Sequence, residues 1–296
     1  MKYIFHILKH LKSFLIHPRL STKWFLEDFK KDKNASNYKS KINSVWCAGL
    51  PKSGTSLIED IFDQLPYVRH DASLLRVFYS KKIDHVHGVN QDIFQEMKKN
   101  RYTFLKTHSH YNPVYENLAK KYDIKIIISL RDLRDMMISR YFHIKNDKNH
   151  WLNNKISGLN FKDGFITSLT SKPGINEQTS LSYYYYWVFD WLKIASKKNY
   201  LILWYEDYKM NPINYINKIL DYTEFNDFSA EKILKKINNK QAENLKKSLN
   251  QHSKLKSTFR KGETEEWKKY FERDIEDIFN LNLPDKLENI LHKKIN

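Results

Sequence analysis

The stretch SVWCAGLPKSGTS, residues 44–56, decides the fold. Its first half is a short apolar run that ends at a glycine and a proline, which is typical of a buried strand. Apolar side chains then recur at helical spacing through Ser53–Leu65, which predicts an amphipathic helix directly after the loop. A strand, a glycine-containing turn and a helix N-terminus in this order predict a cradle of backbone N–H groups for an anion.

Strands and helices alternate along the rest of the chain. Apolar runs predict three more buried strands, at Tyr102–Thr107, Lys125–Leu130 and Tyr200–Tyr205. Helical spacing predicts the helices Val114–Lys121, Leu133–Ile144 and Thr179–Ser196. This alternation predicts an α/β fold with a P-loop-like, doubly wound, mostly parallel sheet and helices on both faces. Ligands bind at the carboxyl ends of the strands of such sheets.

The N-terminal segment is set apart from the region that forms the sheet. We expect residues 1–43 to be a basic lead-in and residues 44–296 to form one α/β domain. Apolar residues recur at helical spacing among lysines over residues 1–16, which predicts a basic amphipathic helix. This helix packs on its own domain or, as the alternative, lies on an anionic membrane surface.

The composition limits the partners and the compartment. The 296 residues carry a net charge of +17, which favours an anionic partner, nucleic acid included. Lys and Arg are interspersed with Asp, Glu and Asn along the chain, so we expect no specific binding to nucleic acid. Cys47 is the only cysteine, which excludes an internal disulfide and indicates a reducing compartment such as the cytoplasm. No apolar window reaches the roughly 18 residues of a membrane span.

The loop differs from the phosphate loop of kinases and ATPases. Gly49 and Gly54 have the Walker A spacing, but Thr55 stands where that pattern has its lysine. A lysine occurs instead at position 52, inside the loop, which suits a 5′-phosphate that carries a sulfate. The residues expected to hold that group are Lys52, Ser53, Gly54, Thr55 and Ser56. A P-loop kinase is the alternative enzyme, and a non-catalytic protein that binds nucleotide or nucleic acid is the alternative without catalysis.

Five segments, in the same order along the chain, resemble motifs of the cytosolic-type sulfotransferases that use 3′-phosphoadenosine-5′-phosphosulfate (PAPS). They are Pro51–Ser56, Leu105–His108, Leu130–His143, Tyr205–Asp207 and Arg260–Lys268. The resemblance extends over about residues 44–272. It implies an enzyme that transfers the sulfuryl group of PAPS to a hydroxyl or an amine and releases 3′,5′-ADP. The acceptor is a small molecule, a glycan or a lipid, and this chemistry needs no metal ion.

The resemblance also implies roles for single residues. His108 is the expected general base, because an imidazole of ordinary pKa, ~6.5, accepts a proton near neutral pH. Lys52 and Lys106 are expected to stabilise charge on the sulfuryl group and on the leaving phosphate. The residues expected to hold the rest of the nucleotide are Arg131, Ser139, Arg260, Lys261 and Gly262 at the 3′-phosphate and Tyr205 near the adenine.

Three positions depart from the family pattern. Leu57 stands where an aromatic residue often stacks on the adenine. In the last segment, Arg260–Lys268, called the late motif below, Glu265 and Glu266 replace a glycine and an aspartate. The dimerisation segment of the family is not recognisable, so no oligomeric state is predicted. Four acidic residues are interpreted as caps and ion-pair partners: Asp132, Asp135, Glu206 and Asp207.

The acceptor pocket has no sequence signature that names a ligand. We expect it to be formed by loops at Ala72–Val89, Lys145–Lys172 and Asn238–Ser257, the last a polar stretch that interrupts a helical region. The aromatic run Tyr183–Trp187 either lines this pocket or, as we prefer, belongs to the core.

Overall fold

The computed structural model describes part of the 296 residues. The described residues are 44–65, 69–70, 89, 91–99, 103–172, 178–195, 198, 200–250 and 262–283. The predicted N-terminal helix and lead-in, residues 1–43, therefore lie outside the described residues. Arg260 and Lys261 lie outside them as well.

The described strands form one central, parallel, five-stranded sheet. They are β1 Ser44–Gly49, β2 Arg69–His70, β3 Thr103–Thr107, β4 Ile124–Leu130 and β5 Leu201–Trp204, in the order β2-β3-β1-β4-β5. In the register of β1 with β3, Val45 lies opposite Phe104 and Cys47 lies opposite Lys106. Because β1 and β4 are buried along almost their whole length, their sequences read as apolar runs. The predicted P-loop-like α/β fold is confirmed.

Helices precede and follow the strands along the chain. In the described part of the chain they are α1 Thr55–Asp63, α2 Gln91–Lys99, α3 Pro113–Lys121, α4 Leu133–Asn146, α5 Asn153–Ile156, α6 Phe161–Thr170, α7 Ser180–Ala195, α8 Tyr205–Met210, α9 Pro212–Thr223, α10 Ala230–Asn250, a 3₁₀ helix Glu266–Lys269 and α11 Arg273–Leu281. The helices predicted after β1, β3 and β4 are confirmed within one or two residues at each end.

The loop predicted at Asn238–Ser257 is wrong over residues 238–250, and its remaining residues, 251–257, lie outside the described residues. Helix α10 continues without interruption to Asn250. Lys, Gln, Glu and Leu are good helix formers, and Ile233 and Ile237 bury one face of this helix. Residues 238, 239 and 241–243 are exposed, so the polar composition there reflects an exposed surface and not an irregular backbone. The segment Lys145–Lys172, also expected as a loop, contains α5 and α6.

The described residues divide into two compact units. The first takes its residues from β1 through Ala48, from Ser56–Ile127 and from Ile216–Asn239. The second takes them from Gly49–Thr55, Ile128–Tyr215 and the described part of Lys240–Asn296.

Aromatic side chains fill the core of each unit. In the first unit Phe62 stacks on Phe104 with ring centroids 4.5 Å apart, and Trp46 packs edge-on against Phe94. In the second unit alternate members of the aromatic run of α7, Tyr183, Tyr185 and Trp187, are buried. The preferred interpretation of Tyr183–Trp187 as core therefore holds for these three residues.

Candidate functional site

The loop between β1 and α1 turns through two left-handed residues. Strand β1 ends at Gly49 and helix α1 begins at Thr55. Between them, Lys52 has a φ of 66° and Gly54 a φ of 85°. Within the turn the Ser53 N–H donates to the Leu50 carbonyl at 3.1 Å, and α1, which begins directly after the turn, adds N-terminal N–H groups of the kind that bind anions. The backbone is therefore suited to bind an anion.

Both glycines are required by close contacts. A Cβ atom on Gly49 would lie 1.9 Å from Cγ2 of Thr55, and one on Gly54 would lie 2.6 Å from Cδ2 of Tyr205. Neither atom can be accommodated unless the neighbouring side chain moves. The spacing that the loop shares with Walker A thus reflects the packing of the turn against its own helix and against Tyr205.

Ser53 fastens the loop to β4. Its hydroxyl donates to the Leu50 carbonyl at 2.6 Å and lies 3.0 Å from Oγ of Ser129. Oγ of Ser129 donates to the Ser53 carbonyl, and the Leu50 N–H donates to the Ser129 carbonyl, both at 3.0 Å. The Ser53 side chain is completely buried. Its hydroxyl, which the sequence placed among the donors to an anion, is used within the loop, so it fixes the loop's shape.

Arg131 lies directly after β4 and connects two of the recognised segments. Its two terminal nitrogens donate to the Lys52 carbonyl at 3.3 Å and to the Glu263 carbonyl at 2.6 Å. Asp135, one helical turn further on, is 3.9 Å from the guanidinium. Arg131 is only 6% exposed, and no described residue accepts a hydrogen bond from its Nε–H. A buried cation with an unused donor is the group expected where an anion binds.

Tyr205 brings the loop, Arg131 and the late motif into contact. Its hydroxyl donates to the Gly262 carbonyl at 3.0 Å, and its ring lies against Gly54. The guanidinium carbon of Arg131 is 5.0 Å from the ring centroid, within cation–π range. Burial raises the pKa of Tyr205 although the charge of Arg131 lowers it, so the phenol stays neutral.

Asp135 fixes the late motif against α4. Its carboxylate accepts the backbone N–H groups of Glu265 at 2.7 Å and of Trp267 at 2.8 Å. Burial raises the pKa of Asp135, and these hydrogen bonds and the charge of Arg131 act in the opposite direction. Ser139 follows Asp135 by one helical turn, so it lies on the same face of α4, where it is half-buried.

The backbone at Glu265 explains the glycine of the family pattern. Glu265 has a φ of 58° and a ψ of 18°, in the left-handed region. For a residue with a Cβ this conformation costs roughly 1–2 kcal/mol, whereas glycine adopts it freely. Its hydrogen bond to Asp135 holds the strained residue in place. The replacement of glycine by Glu265 therefore leaves the turn itself intact.

Glu206 is a buried carboxyl beside the residue that follows Arg131. Its Oε1 accepts the backbone N–H of Asp132 at 3.1 Å, whereas its Oε2 is buried and has no hydrogen-bond partner among the described residues. Burial raises the pKa of Glu206 to about 7, and the Asp132 hydrogen bond opposes this rise. The interpretation of Asp132 as a cap is confirmed, since its side chain accepts the Arg134 N–H at the start of α4.

In the first unit, Lys106 and His108 lie at the carboxyl end of β3. Lys106 is the penultimate residue of the strand, and its ammonium forms an ion pair with Glu59 of α1. His108 is the first residue after the strand and is half-buried. The Thr107 hydroxyl between them accepts a hydrogen bond from Nε1 of Trp46 at 2.9 Å, which anchors the end of the strand. Both predicted catalytic residues of this unit are therefore at the strand end where the fold places ligands.

The Cys47 thiol lies beside this ion pair and is buried. Burial raises the pKa of the thiol to about 12, while the Lys106 charge lowers it and the Glu59 charge raises it. The thiol is therefore protonated at any ordinary pH and unreactive.

The structure brings the predicted residues together in two groups. The second unit joins Lys52–Thr55, Arg131, Tyr205 and Gly262 through the contacts described above. The first unit contains Lys106 and His108, together with the exposed Ser56 at the start of α1. Leu57, in place of the family's aromatic residue, is buried in the core.

Sequence reasoning missed two residues that shape these groups. Ser129 is a polar residue in the otherwise apolar C-terminal half of β4, and that interruption was a usable signal for its bond to Ser53. Glu59 had no signal of its own, because an acidic residue on an amphipathic helix is ordinarily a solvated one.

No three His, Cys, Asp or Glu side chains within the described ranges are grouped as a metal ion would require. In the same ranges, no helix combines the length and the apolar character needed to span a membrane.

Comparison with known proteins identifies the family. The family model of the sulfotransferase domain matches residues 43–289. The flavonol 3-sulfotransferase of Flaveria bidentis is 24% identical, over 95% of this chain and 94% of that protein. Sulfotransferase 1 family member D1 of Mus musculus is 26% identical, over 68% of this chain and 65% of that protein.

A solved structure shares the fold. The mouse sulfotransferase SULT7A1, crystallised with PAP, aligns with a TM-score of 0.56 at 17% identity, over 83% of this chain and 85% of that one. The α/β sheet, the order of the motifs and a family match over most of its length lead to one conclusion: this chain belongs to the sulfotransferase domain family.

Proposed function

We propose that this sulfotransferase uses PAPS as its sulfuryl donor and transfers the sulfuryl group to a hydroxyl or an amine of a small-molecule, glycan or lipid acceptor. The observation that carries the proposal is the cluster of Arg131 and Tyr205. Contacts within this cluster join the loop after β1, the end of β4 and the late motif. These are the segments expected to surround a nucleotide that carries a phosphate at each end.

The residues of the cluster fit the 3′-phosphate of such a nucleotide. Arg131 offers a buried Nε–H that no described residue uses, and a phosphate oxygen is the natural acceptor for it. Ser139 would add a hydroxyl from α4, and Gly262 a backbone N–H. Arg260 and Lys261 immediately precede Gly262 in the sequence, and their cationic side chains belong to the same proposed set.

The loop after β1 fits the 5′-phosphosulfate. Gly54 lets the loop turn beside Tyr205, because its φ is in the left-handed region and a side chain at this position would collide with the Tyr205 ring. Lys52 supplies a positive charge, and the hydroxyls of Thr55 and Ser56 stand at the N-terminus of α1. Ser53 contributes through the shape that its buried hydrogen bonds give to the loop.

PAPS supplies the sulfuryl group when bound, and 3′,5′-ADP leaves. His108 takes the proton of the acceptor hydroxyl on a ring nitrogen, a contribution of typically ~10²–10⁴-fold. Lys52 and Lys106 stabilise the negative charge that develops during such a transfer, as fixed cations do in phosphoryl transfer. None of these residues has to ligate a metal ion for these roles.

Among the acceptor classes of this proposal, a hydroxyl group on a small molecule is the one that the named plant relative supports. The plant relative is named a flavonol 3-sulfotransferase, and a flavonol is a small molecule with hydroxyl groups. A buried, unpaired thiol in Cys47 is consistent with the cytoplasm as the site of action. Contact of residues 1–16 with a membrane surface stays a prediction from sequence.

Nucleotide selectivity tests the donor assignment. We expect 3′,5′-ADP to raise the melting temperature far more than 5′-AMP does, because the 3′-phosphate alone would engage Arg131 and Ser139. A tenfold preference corresponds to ~1.4 kcal/mol, a modest demand on a charge-assisted cluster. Differential scanning fluorimetry over a concentration series of each nucleotide measures this difference.

The same experiment separates the rival functions. Equal stabilisation by the two nucleotides would refute the assignment of the 3′-phosphate residues. A larger shift with ATP and Mg²⁺ would favour the P-loop kinase. Tight binding of duplex DNA at about 150 mM salt that 3′,5′-ADP does not displace would indicate a nucleic-acid surface, since genuine phosphate-backbone binding involves many contacts beyond one pocket.

A further inference from the structure

Helix α1 docks on β3 through two neighbouring pairs of side chains. The ring of Phe62 stacks on the ring of Phe104, with centroids 4.5 Å apart and planes 20° apart. Glu59 precedes Phe62 by three residues, one helical turn, and Lys106 follows Phe104 by two residues on the same face of the strand. The aromatic pair therefore fixes the distance at which the carboxylate of Glu59 meets the ammonium of Lys106.

This ion pair differs from ordinary surface pairs in its surroundings. Lys106 and Glu59 are 27% and 26% exposed, whereas Lys98 and Asp123, a surface pair of the same unit, are 55% and 59% exposed. The rings of Phe62 and Phe104 are completely or almost completely buried. Water screens the Lys106 pair less than an exposed pair, and its position is set by a rigid core contact.

We propose that Glu59 is a positioning residue, which orders the ammonium of Lys106 for the sulfuryl transfer that the proposed function assigns to that lysine. A lysine side chain is long and has many rotamers, so a free ammonium would have to be ordered at the moment of reaction. Glu59 orders it beforehand. An ammonium has three donors, and those not bonded to the carboxylate remain for the oxygens of a sulfuryl group or a phosphate.

Competitive amine labelling tests the ordering without any turnover. Acetyl N-hydroxysuccinimide reacts with each lysine at a rate that mass spectrometry measures peptide by peptide. We expect Lys106 to react about fivefold faster in Glu59→Ala than in the wild type, the upper end of what a solvent-accessible ion pair contributes. Lys125 is the internal reference, because it is similarly exposed, at 22%, and is held by Glu224 and the Tyr222 carbonyl. An unchanged Lys106 rate relative to Lys125 would overturn the proposal.

Turnover of radiolabelled PAPS tests the consequence for transfer, with the acceptor on which the wild type is most active in a panel of phenols, alcohols, amines, lipids and glycans. Glu59→Ala should lower kcat about tenfold, equivalent to ~1.4 kcal/mol, and leave KM for PAPS within about twofold. Glu59→Gln keeps a hydrogen-bond acceptor of the same size, so it should restore most of kcat. Asp60→Ala, the neighbouring half-buried acid of α1, is the matched control and should turn over like the wild type.

A double-mutant cycle distinguishes positioning from a general effect on folding. In the Lys106→Ala background, Glu59→Ala should have no further effect on kcat, because Glu59 acts on the transfer only by ordering the Lys106 ammonium. An equal tenfold loss in that background, or a Glu59→Gln variant as slow as Glu59→Ala, would overturn the proposal. If the wild type does not turn over PAPS, the proposed function fails, and the labelling result alone decides whether Glu59 orders Lys106.

Discussion

Replacing His108 by alanine should lower sulfuryl transfer by ~10²–10⁴-fold and leave the affinity for 3′,5′-ADP within about twofold of the wild type. His108 stands directly after β3, at the carboxyl end of the sheet. In the proposed reaction it touches the acceptor hydroxyl and not the nucleotide. Lys52→Ala should reduce both transfer and nucleotide affinity, because Lys52 belongs to the loop that holds the 5′-phosphosulfate. Initial rates and isothermal titration of 3′,5′-ADP separate the two variants.

His110→Ala is the matched control for this prediction. His110 lies two residues further along and is half-buried like His108, so its replacement removes an imidazole from the same segment. Its turnover should stay close to that of the wild type. His108 is not the general base if His108→Ala retains more than about a tenth of the wild-type rate, given what loss of a general base ordinarily costs. A parallel loss of nucleotide affinity would instead indicate a structural role.

Glu206→Gln should stabilise the protein at about pH 8 by on the order of 2–3 kcal/mol and have little effect at about pH 5. Burial raises the pKa of Glu206 from 4.5 to about 7. The folded protein therefore holds a proton there that the unfolded chain releases between these values, and the wild type loses stability as the pH rises from about 5 through about 7. Glutamine does not titrate, and its amide oxygen can still accept the Asp132 N–H.

Urea unfolding of both proteins at the two pH values measures this difference. Glu243→Gln removes an exposed carboxylate of α10 and should change the free energy of unfolding by less than ~0.5 kcal/mol at either pH. Equal stabilities of the wild type and Glu206→Gln at about pH 8 would show that the charged Glu206 does not destabilise the folded protein. A loss of stability at both pH values would show that the glutamine side chain does not preserve the contact with the Asp132 N–H.

The strand, loop and helix of residues 44–65 could be predicted because local pattern and tertiary environment agree there. A strand buried on both faces has to be apolar, and an amphipathic helix has to repeat with the helical period. Helix α10 was predicted incorrectly at its C-terminal half because a polar composition shows that a segment is exposed and does not show how its backbone is arranged. The strand β2, with two residues, is too short to carry a pattern.

The sequence could predict which residues belong to the candidate site but not which of them contact one another. Motifs indicated Arg131, Tyr205 and Gly262, yet only the structure shows that Tyr205 donates to the Gly262 carbonyl and packs against Arg131. These contacts join residues more than fifty positions apart, and no local pattern encodes them. The ion pair of Glu59 and Lys106 could not be predicted from the sequence for the same reason, because it depends on how α1 lies on β3.

Transfer of radiolabelled sulfate from PAPS to a panel of phenols, alcohols, amines, lipids and glycans tests the central claim most directly. The panel is run with the wild type and with Lys52→Ala and His108→Ala as variants expected to be inactive. Radiolabelled ATP with Mg²⁺ replaces PAPS in a parallel series. We predict that the wild type labels at least one hydroxyl or amine acceptor from PAPS, that both variants lose this transfer, and that ATP donates no phosphoryl group. A folded wild-type protein that labels no acceptor from PAPS, or that phosphorylates one from ATP, would contradict the account.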